Sequence, residues 1–132
     1  MAPNPDDYTL AIVCAMEHEF DPVYSLFKDP PKSWSEKPND HNIYFVGRFV
    51  DHRVVPVMPG DKGELDTGLC TQRLREAFPK IELTFLVGIC AAVPDNAATK
   101  QAIYLGDVIV GTKVWRAFQN TRIIDLGADE GI

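Results

Sequence analysis

Two stretches late in the sequence decide the fold: Leu86-Val-Gly-Ile-Cys-Ala-Ala-Val-Pro94 and Leu105-Gly-Asp-Val-Ile-Val110. The first is an apolar strand that runs into a turn of small residues, and the second is an apolar strand that opens with Gly-Asp. Small residues at the carboxyl end of a buried strand let a ligand approach the backbone closely, and open α/β sheets bind ligands at strand ends. The two stretches therefore predict a binding site, supported by a second apolar segment, Leu10-Ala-Ile-Val-Cys14.

The rest of the pattern predicts an α/β fold. Apolar runs and amphipathic spacing give these elements in order: a buried strand at 10–14, a helix from Glu19 to the Pro30-Pro31 pair, a β-hairpin of 42–48 and 52–58, a helix at 64–78, a buried strand at 83–87 and a strand at 103–111. Alternation of this kind predicts three layers, in which helices flank a mixed central β-sheet.

Prolines and apolar positions refine these elements. Pro22 suits the first turn of its helix, where a missing N–H costs little. The polar, proline-bearing segment 28–41 is predicted to be a surface loop. Pro56 lacks a ladder donor, which suggests an edge strand or a bulge. The inner face of the second helix is predicted to carry Leu65, Leu69, and Leu74 or Ala77.

Composition excludes several classes of protein. The 132 residues suit one domain, and a net charge of -6 with scattered basic residues argues against nucleic-acid binding. No apolar run reaches the roughly 20 residues that span a bilayer, so no membrane association is expected. Residues 1–7 are acidic and proline-rich, which predicts a flexible tail rather than a signal peptide. A cytoplasmic location is the expectation.

The cysteines and histidines indicate no metal site. Cys14, Cys70 and Cys90 are odd in number and form no CxxC pair, so we expect buried, reduced thiols. The three histidines show no ligand spacing, and neither a metal nor an organic cofactor is expected.

Five segments together resemble the purine and uridine phosphorylase superfamily, which includes the methylthioadenosine/S-adenosylhomocysteine nucleosidases. They are the two stretches quoted first, Pro59-Gly60, Phe78-Pro79 and Ala11-Ile-Val-Cys-Ala-Met-Glu-His-Glu19. The sequence looks most like the phosphorylase-like domain at the N-terminus of large fungal multidomain proteins. The resemblance covers residues 8–113, and 114–132 form a divergent C-terminal tail.

The resemblance implies cleavage of the N-glycosidic bond of a purine nucleoside by phosphate or water, with phosphate as a possible co-substrate. In nucleosidases of this family the last acid of Ala-Met-Glu-x-Glu, here Glu19, helps to position or activate the attacking water. A carboxylate just past a buried strand can be partly desolvated, which suits a general base. The alternative is that Glu19 is an exposed first-turn residue favoured by the helix dipole. Glu17 and His18 are interpreted as solvated neighbours.

The resemblance also implies that the turn Gly88-Ile89-Cys90-Ala91 and the loop at Gly60 bind substrate. Ile89 stands where many members have a hydroxyl, and Ala91-Ala92 replace a usual glycine pair. If that backbone needs positive φ, alanine costs about 1 kcal/mol or more. Cys90 lacks a His/Asp partner pattern and is predicted to pack rather than react.

Two further residues, Lys62 and Asp107, have both a functional and a purely structural interpretation. Lys62 either faces a phosphate or belongs to a plain surface turn. Asp107 is predicted to form a turn that supports the pocket rather than to act in catalysis.

Two hypotheses remain open from the sequence. Family enzymes continue with a ribose-binding Met-Glu segment and an Asp that protonates the leaving base, and neither is found here, so the chain looks truncated and its activity is expected to be impaired. The first hypothesis is the N-terminal portion of a nucleoside phosphorylase or nucleosidase, with the ancestral site only partly present. The expected partners are a small-molecule nucleoside and further copies of the chain in a homo-oligomer. The second is a non-catalytic domain for ligand sensing or protein association. A flavodoxin-like binding domain is a weaker third choice, because no phosphate loop is evident.

Overall fold

The structure, a computed structural model, describes residues 3–35, 40–60, 64–91, 95–96, 101–111, 113–114 and 124–125. The chain divides into two compact units, Met1–Cys90 and Ala91–Ile132. The first unit carries a five-stranded sheet and two α-helices, and the second carries two pairs of short strands. The predicted domain limits of 8–113 stay a prediction.

The first unit follows the predicted order of strands and helices. After a 3-10 turn at Pro5–Asp7, its elements are β1 (Leu10–Val13), α1 (Glu17–Ser25), β2 (Lys32–Trp34), β3 (Ile43–Phe49), β4 (His52–Met58), α2 (Glu64–Ala77) and β5 (Leu83–Leu86). The strand β2 lies inside 28–41, where a loop was predicted, so that prediction is wrong for three residues. They form a strand because β3 offers them an edge with which to pair.

The sheet is mixed, as predicted, with the strand order β2-β3-β4-β1-β5. The strand β1 runs parallel to both of its neighbours, β4 and β5, whereas β3 is antiparallel to β2 and β4. The carboxyl ends of β4, β1 and β5 therefore meet at one edge of the sheet, the edge at which open α/β sheets bind ligands.

The predicted hairpin is present as β3 and β4, joined by a two-residue turn at Val50-Asp51. Val50 has a φ of 54°, a left-handed conformation that is strained for a β-branched residue. The sharp turn between two directly paired strands requires this conformation, although the sequence supplies no glycine there.

The prediction for Pro56 is wrong, because β4 is a central strand. Pairing with β3 stops after Gly47↔Val54 and resumes at Tyr44↔Val57 in the same register, so the described hairpin has no bulge. Pro56 lies in the interruption, where its missing N–H leaves the ladder unpaired. Pro56 is fully buried and lies opposite Ile12 of β1. Burial of its ring therefore offsets the loss of backbone hydrogen bonds between β3 and β4 at this position.

Apolar residues cover both faces of the sheet. Alternate residues of a strand point to opposite faces, so β1, β3 and β4 each contribute to two clusters. The cluster on the α2 side comprises Tyr8, Ala11, Val13, Tyr44, Val46, Val55, Val57, Cys70, Leu74, Ala77 and Phe78. The cluster on the α1 side comprises Cys14, Phe20, Val23, Phe27 and Val54. The predicted three-layer arrangement is therefore present in the first unit.

The helix α1 begins at Glu17, earlier than predicted, and this places Pro22 inside the helix rather than in its first turn. Pro22 has no N–H to donate to the carbonyl four residues back, at His18. The earlier start follows from a side chain at the third helical position, because the Glu19 carboxylate accepts the backbone N–H of Met16.

The inner face of α2 differs from the prediction at one position. Cys70, Leu74 and Ala77 are buried and share one helix face, whereas Leu69 is 38% exposed. The side chain of Leu65 lies outside the described residues. Among the helices that the structure describes, none is both long and apolar enough to cross a membrane.

The strand β5 was predicted to be buried, and this is wrong in the structure. All four of its residues are exposed, because β5 is the last strand in the sheet order and, among the described strands, pairs with β1 alone. The strand is apolar, as predicted. Its exposure results from its position at the end of the sheet, which the sequence pattern does not report.

The second unit contains two antiparallel pairs, β6 (Asp95–Asn96) with β7 (Gln101–Ala102) and β8 (Lys113–Val114) with β9 (Ile124–Asp125). The predicted strand at 103–111 is not formed: these residues have no ladder partner, and an apolar sequence without one has no strand hydrogen bonds. Asp107 is confirmed as a turn residue, because its carboxylate accepts the Tyr104 N–H at 2.9 Å, and Gly106 has a φ of 95°.

Candidate functional site

The candidate site lies where β1 and β5 end. Their backbones stay paired beyond the strand bounds, since the Val87 N–H donates to the Val13 carbonyl at 2.9 Å. On its other side β1 is held to β4, because the Cys14 N–H donates to the Val57 carbonyl at 3.0 Å. The chain then turns through Met16 into α1. Strand pairing thus brings the first turn of α1 to the residues that follow β5.

Glu19 connects these two segments. One carboxylate oxygen accepts the backbone N–H of Met16 at 3.1 Å, and the other accepts the backbone N–H of Ile89 at 3.0 Å. The side chain is only 7% exposed, and Glu19 is the one buried charged residue among those described. The alternative of an exposed first-turn residue is therefore wrong. Bonds between a carboxylate and backbone N–H groups are the stronger, charge-assisted kind.

Gly88 makes this arrangement possible. A Cβ atom on Gly88 would lie 2.8 Å from one carboxylate oxygen of Glu19 and 3.2 Å from its carboxyl carbon. Those distances are shorter than van der Waals contact, so a side chain at this position would displace the carboxylate. Glycine is needed here for close approach of the backbone to Glu19.

The surroundings of Glu19 contain a buried thiol. Burial first, and the nearby Glu19 carboxylate second, raise the pKa of Cys14 to about 11. The thiol is therefore neutral at physiological pH. Among the described residues the one ion pair joins Arg53 and Asp7, which leaves the Glu19 carboxylate without a charged partner there.

Gly60 lies at the same edge of the sheet, just beyond β4, but its described contact is with another residue. A Cβ on Gly60 would lie 2.0 Å from the backbone oxygen of His41, so the two backbones are closely packed. Lys62 lies outside the described residues. The structure therefore places Gly60 on the opposite side of β1 from Gly88.

The remaining residues of the predicted turn are exposed. Ile89 uses its backbone N–H at the site, and its side chain is 74% exposed. Cys90 is also exposed, so the prediction that it packs is wrong, because the turn follows an edge strand. Ala91 opens the second unit and is exposed, and its φ is not positive, so Ala91 carries no left-handed strain. Ala92, the other alanine of the pair, lies outside the described residues.

Glu19 is buried, whereas its acidic and basic neighbours in the sequence are exposed. Glu17 and His18 are exposed, in agreement with their interpretation as solvated residues. No group of three or more His, Cys, Asp or Glu side chains in the described part of the chain could hold a metal ion. The assignment of a catalytic or substrate-binding role to any of these residues remains a prediction.

Sequence reasoning missed the backbone donors of the site. It predicted that Cys14 is buried, which is confirmed, but it did not place this thiol beside Glu19. The Met16 N–H could have been anticipated, because an acidic residue three positions after the start of a helix often accepts that N–H. The Ile89 N–H could not, because seventy residues separate it from Glu19 and only the pairing of β1 with β5 unites them.

Comparisons with known proteins identify the fold. No protein-family model matches the sequence, and a search of curated proteins finds no match. A structure of a mutant of the Helicobacter pylori enzyme MTAN, with 5′-methylthioadenosine in its active site, is similar over 62% of this chain and 33% of its own, with 19% identity and a TM-score of 0.52.

Two further structures give the same result. Futalosine hydrolase of Helicobacter pylori is similar over 63% of this chain and 34% of its own, with 19% identity and a TM-score of 0.52. The 5′-methylthioadenosine/S-adenosylhomocysteine nucleosidase of Neisseria meningitidis, in complex with methylthio-immucillin-A, is similar over 61% and 32%, with 20% identity and a TM-score of 0.51.

This chain spans about a third of the length of the structures that it matches. Identities near 20% establish the fold and leave function to be argued from the site. Over 61–63% of its length the chain therefore has an α/β fold similar to that of these nucleosidase and futalosine hydrolase structures.

Proposed function

We propose that the chain is a nucleosidase-type domain that binds a purine nucleoside and promotes cleavage of its N-glycosidic bond by water, with Glu19 as the residue that orients the water. The observation that carries the proposal is the buried Glu19 carboxylate, fixed between the N–H groups of Met16 and Ile89. The chain is similar in fold to proteins whose structures contain 5′-methylthioadenosine or methylthio-immucillin-A.

The carboxylate retains the capacity to bind water. An ionised carboxylate offers about four lone-pair sites, and the two backbone donors occupy two of them. The remaining sites can accept protons from a water molecule or a sugar hydroxyl. Because both oxygens are already fixed, the carboxylate does not need to reorganise when such a group binds.

The charge of the site favours water over phosphate as the nucleophile. Glu19 has no cationic partner among the described residues. A phosphate monoanion roughly 4 Å from an ionised carboxylate would be repelled by about 4 kcal/mol at an effective dielectric constant near 20. Water carries no such penalty, so phosphate as a co-substrate is the less favoured form of the proposal.

The proposed reaction is hydrolysis of the N-glycosidic bond. Water forms a bond to the anomeric carbon, and the electron pair of the broken C–N bond leaves with the base, which takes up a proton from solvent water. Glu19 accepts a proton from the attacking water, so the sugar is released with a new hydroxyl. General base assistance of this kind contributes roughly 10²–10⁴-fold.

The three cysteines are free thiols, which fits a reducing compartment such as the cytoplasm. We include that location, without a cofactor, in the proposal.

A second candidate function is protein association, and the exposure of β5 favours it. Phe85 is 49% exposed and Leu86 is 71% exposed, on a strand that has no partner along one edge among the described strands. Unpaired apolar edge strands commonly pair with other chains. Homo-oligomerisation belongs to this candidate, and sedimentation at the monomer mass over a wide concentration range would contradict it.

The proposed activity is tested by purine release from a panel of nucleosides, with and without phosphate, for wild type, Glu19→Gln and Glu17→Gln. Glu17→Gln is the matched control, because it removes the same charge from an exposed position of the same helix turn. We expect release without phosphate from wild type and the control, and a loss of roughly 10²-fold or more in Glu19→Gln.

Folding of each variant is checked by thermal melting. Equal release from Glu19→Gln and wild type would exclude Glu19 as the water-orienting residue. Absence of release from folded wild type would contradict the catalytic proposal and leave association as the better candidate.

A further inference from the structure

A polar network joins the segment before β3 to helix α2. One Asp40 carboxylate oxygen accepts the Asn42 backbone N–H at 3.0 Å, and the other accepts the Tyr44 hydroxyl at 2.7 Å. The Asn42 side-chain amide donates to the Tyr44 oxygen at 2.8 Å and to the Cys70 carbonyl at 3.1 Å. The short segment is therefore fixed both to β3 and to α2.

The network is built around a buried hydroxyl. Tyr44 is 2% exposed, and its ring packs edge-on against Trp34 and close to Phe78. Burial first, and the hydrogen bond to Asp40 second, raise the pKa of Tyr44, so the hydroxyl stays a donor at physiological pH. Asp40 and Asn42 are only partly buried, so water can satisfy them if the hydroxyl is removed.

The residue enclosed by this network is His41, whose side chain is exposed and whose backbone carbonyl is closely packed against Gly60. The carbonyl lies where a Cβ of Gly60 would be, so the backbone at Gly60 can move toward β3 only if His41 moves. The hydrogen bonds on both sides of His41 oppose that movement.

Gly60 stands at the edge of the sheet that also carries Glu19. The strand β4 is parallel to β1, and neighbouring strands are about 4.8 Å apart. The ends of β4 and β5 are therefore about 10 Å apart, on either side of the end of β1. In the proposed nucleoside site Gly60 forms one wall, and Gly88 with Glu19 forms the other.

We propose that Asp40 and Tyr44 are positioning residues, which hold the Gly60 wall of the nucleoside site in place through His41. This inference rests on the proposed function, because it assigns the network to the same site. Neither residue contacts Glu19, and the effect reaches the ligand through backbone position. The ligand affected is the nucleoside rather than the attacking water, which lies at the opposite wall.

The test uses Tyr44→Phe, which keeps the packed ring and removes only the hydroxyl. Tyr24→Phe is the matched control, because its partly buried hydroxyl makes a long bond of 3.5 Å to the Pro31 carbonyl on the other side of the sheet. The dissociation constant for 5′-methylthioadenosine is measured by calorimetry well below the melting temperature, where a merely structural role would not change it. Hydrogen exchange of the Gly60 amide is measured without ligand.

We expect the dissociation constant to rise about tenfold in Tyr44→Phe, as expected for the loss of one or two buried hydrogen bonds, together with faster Gly60 exchange. The control should change neither quantity. Unchanged affinity in Tyr44→Phe would overturn the inference while leaving the proposed function intact. Weaker affinity with unchanged Gly60 exchange would also overturn it. Absence of binding by wild type would instead show that the proposed function fails, and the inference with it.

Discussion

Gly88→Ala is expected to destabilise the first unit by separating Glu19 from β5. The new methyl group would lie 2.8 Å from a Glu19 carboxylate oxygen, whereas ordinary van der Waals contact begins near 3.4 Å. The carboxylate must move by more than half an ångström (3.4 − 2.8 Å). It is the far end of a flexible side chain, but it is fixed by its bonds to Met16 and Ile89, so it moves only by weakening the Ile89 bond.

The magnitude follows from two opposing effects. Loss of a hydrogen bond to a charged group costs about 1.5–3 kcal/mol. Alanine restricts the unfolded chain more than glycine, which returns about 0.4–1 kcal/mol when the native conformation tolerates it. Gly88 has no positive φ, so no backbone strain is added. The expected net loss in the free energy of unfolding is about 1–2 kcal/mol.

The assay is urea denaturation followed by circular dichroism, with Gly68→Ala as the matched control. Gly68 lies within the helix α2, and a Cβ there would meet nothing within 4 Å. Gly68→Ala is therefore expected to stabilise the protein by up to about 1 kcal/mol. The same chemical change should thus have opposite signs at the two positions.

A double-mutant cycle supplies the stricter test. In a Glu19→Ala background the carboxylate is absent, so Gly88→Ala should cost little or nothing. If Gly88→Ala has the same cost with and without the Glu19 carboxylate, or no cost in either case, the steric and hydrogen-bonding argument is wrong. The purine-release assay then asks whether function changes in parallel with this contact.

Three further predictions concern the reactivity of the thiols, the pH dependence of stability and the hairpin turn. One thiol per folded chain, Cys90, should react rapidly with an aromatic disulfide, and Cys14 and Cys70 should react only on unfolding; three fast thiols would contradict the described burial. Burial raises the pKa of Cys14 and of Cys70 from 9.0 to about 11 in the folded protein. Because the unfolded thiols ionise first, the free energy of unfolding should be constant below pH 9 and fall as the pH rises from 9 through 11. Urea titrations at several pH values should show a smaller fall for Cys14→Ala than for wild type. Val50→Gly should raise the free energy of unfolding by about 1 kcal/mol, because it removes a left-handed β-branched residue, whereas Val50→Ala should gain less; equal effects would show that Val50 is unstrained.

The substitution of Ile89 for a hydroxyl residue matters less than the sequence suggests. The contact that Ile89 makes with Glu19 uses its backbone N–H, which any residue except proline provides. The side chain is mostly exposed and is not part of that contact. The contact between residue 89 and Glu19 therefore does not depend on which side chain other than proline stands at this position.

Local chemistry made the elements of the first unit predictable. The apolar run at 10–14, the amphipathic spacing after Glu19 and the paired strands around Val50-Asp51 all express short-range rules that no distant residue alters. The errors arise where those rules meet the rest of the fold. Pro56 tolerates a central strand because of its packing, and β5 is exposed because of its place in the sheet order.

By itself the sequence determined the α/β class, the order of the elements of the first unit apart from β2 and, through the family resemblance, Glu19 and Gly88 as candidate residues. Only the tertiary structure decided that they meet, because the contact depends on the parallel pairing of β1 with β5 across seventy residues. Periodicity reports which face of an element is apolar, and it carries no information on which strand lies beside another. The neighbour of each strand is set by the packing of the whole sheet, and the site exists only where those neighbours end together.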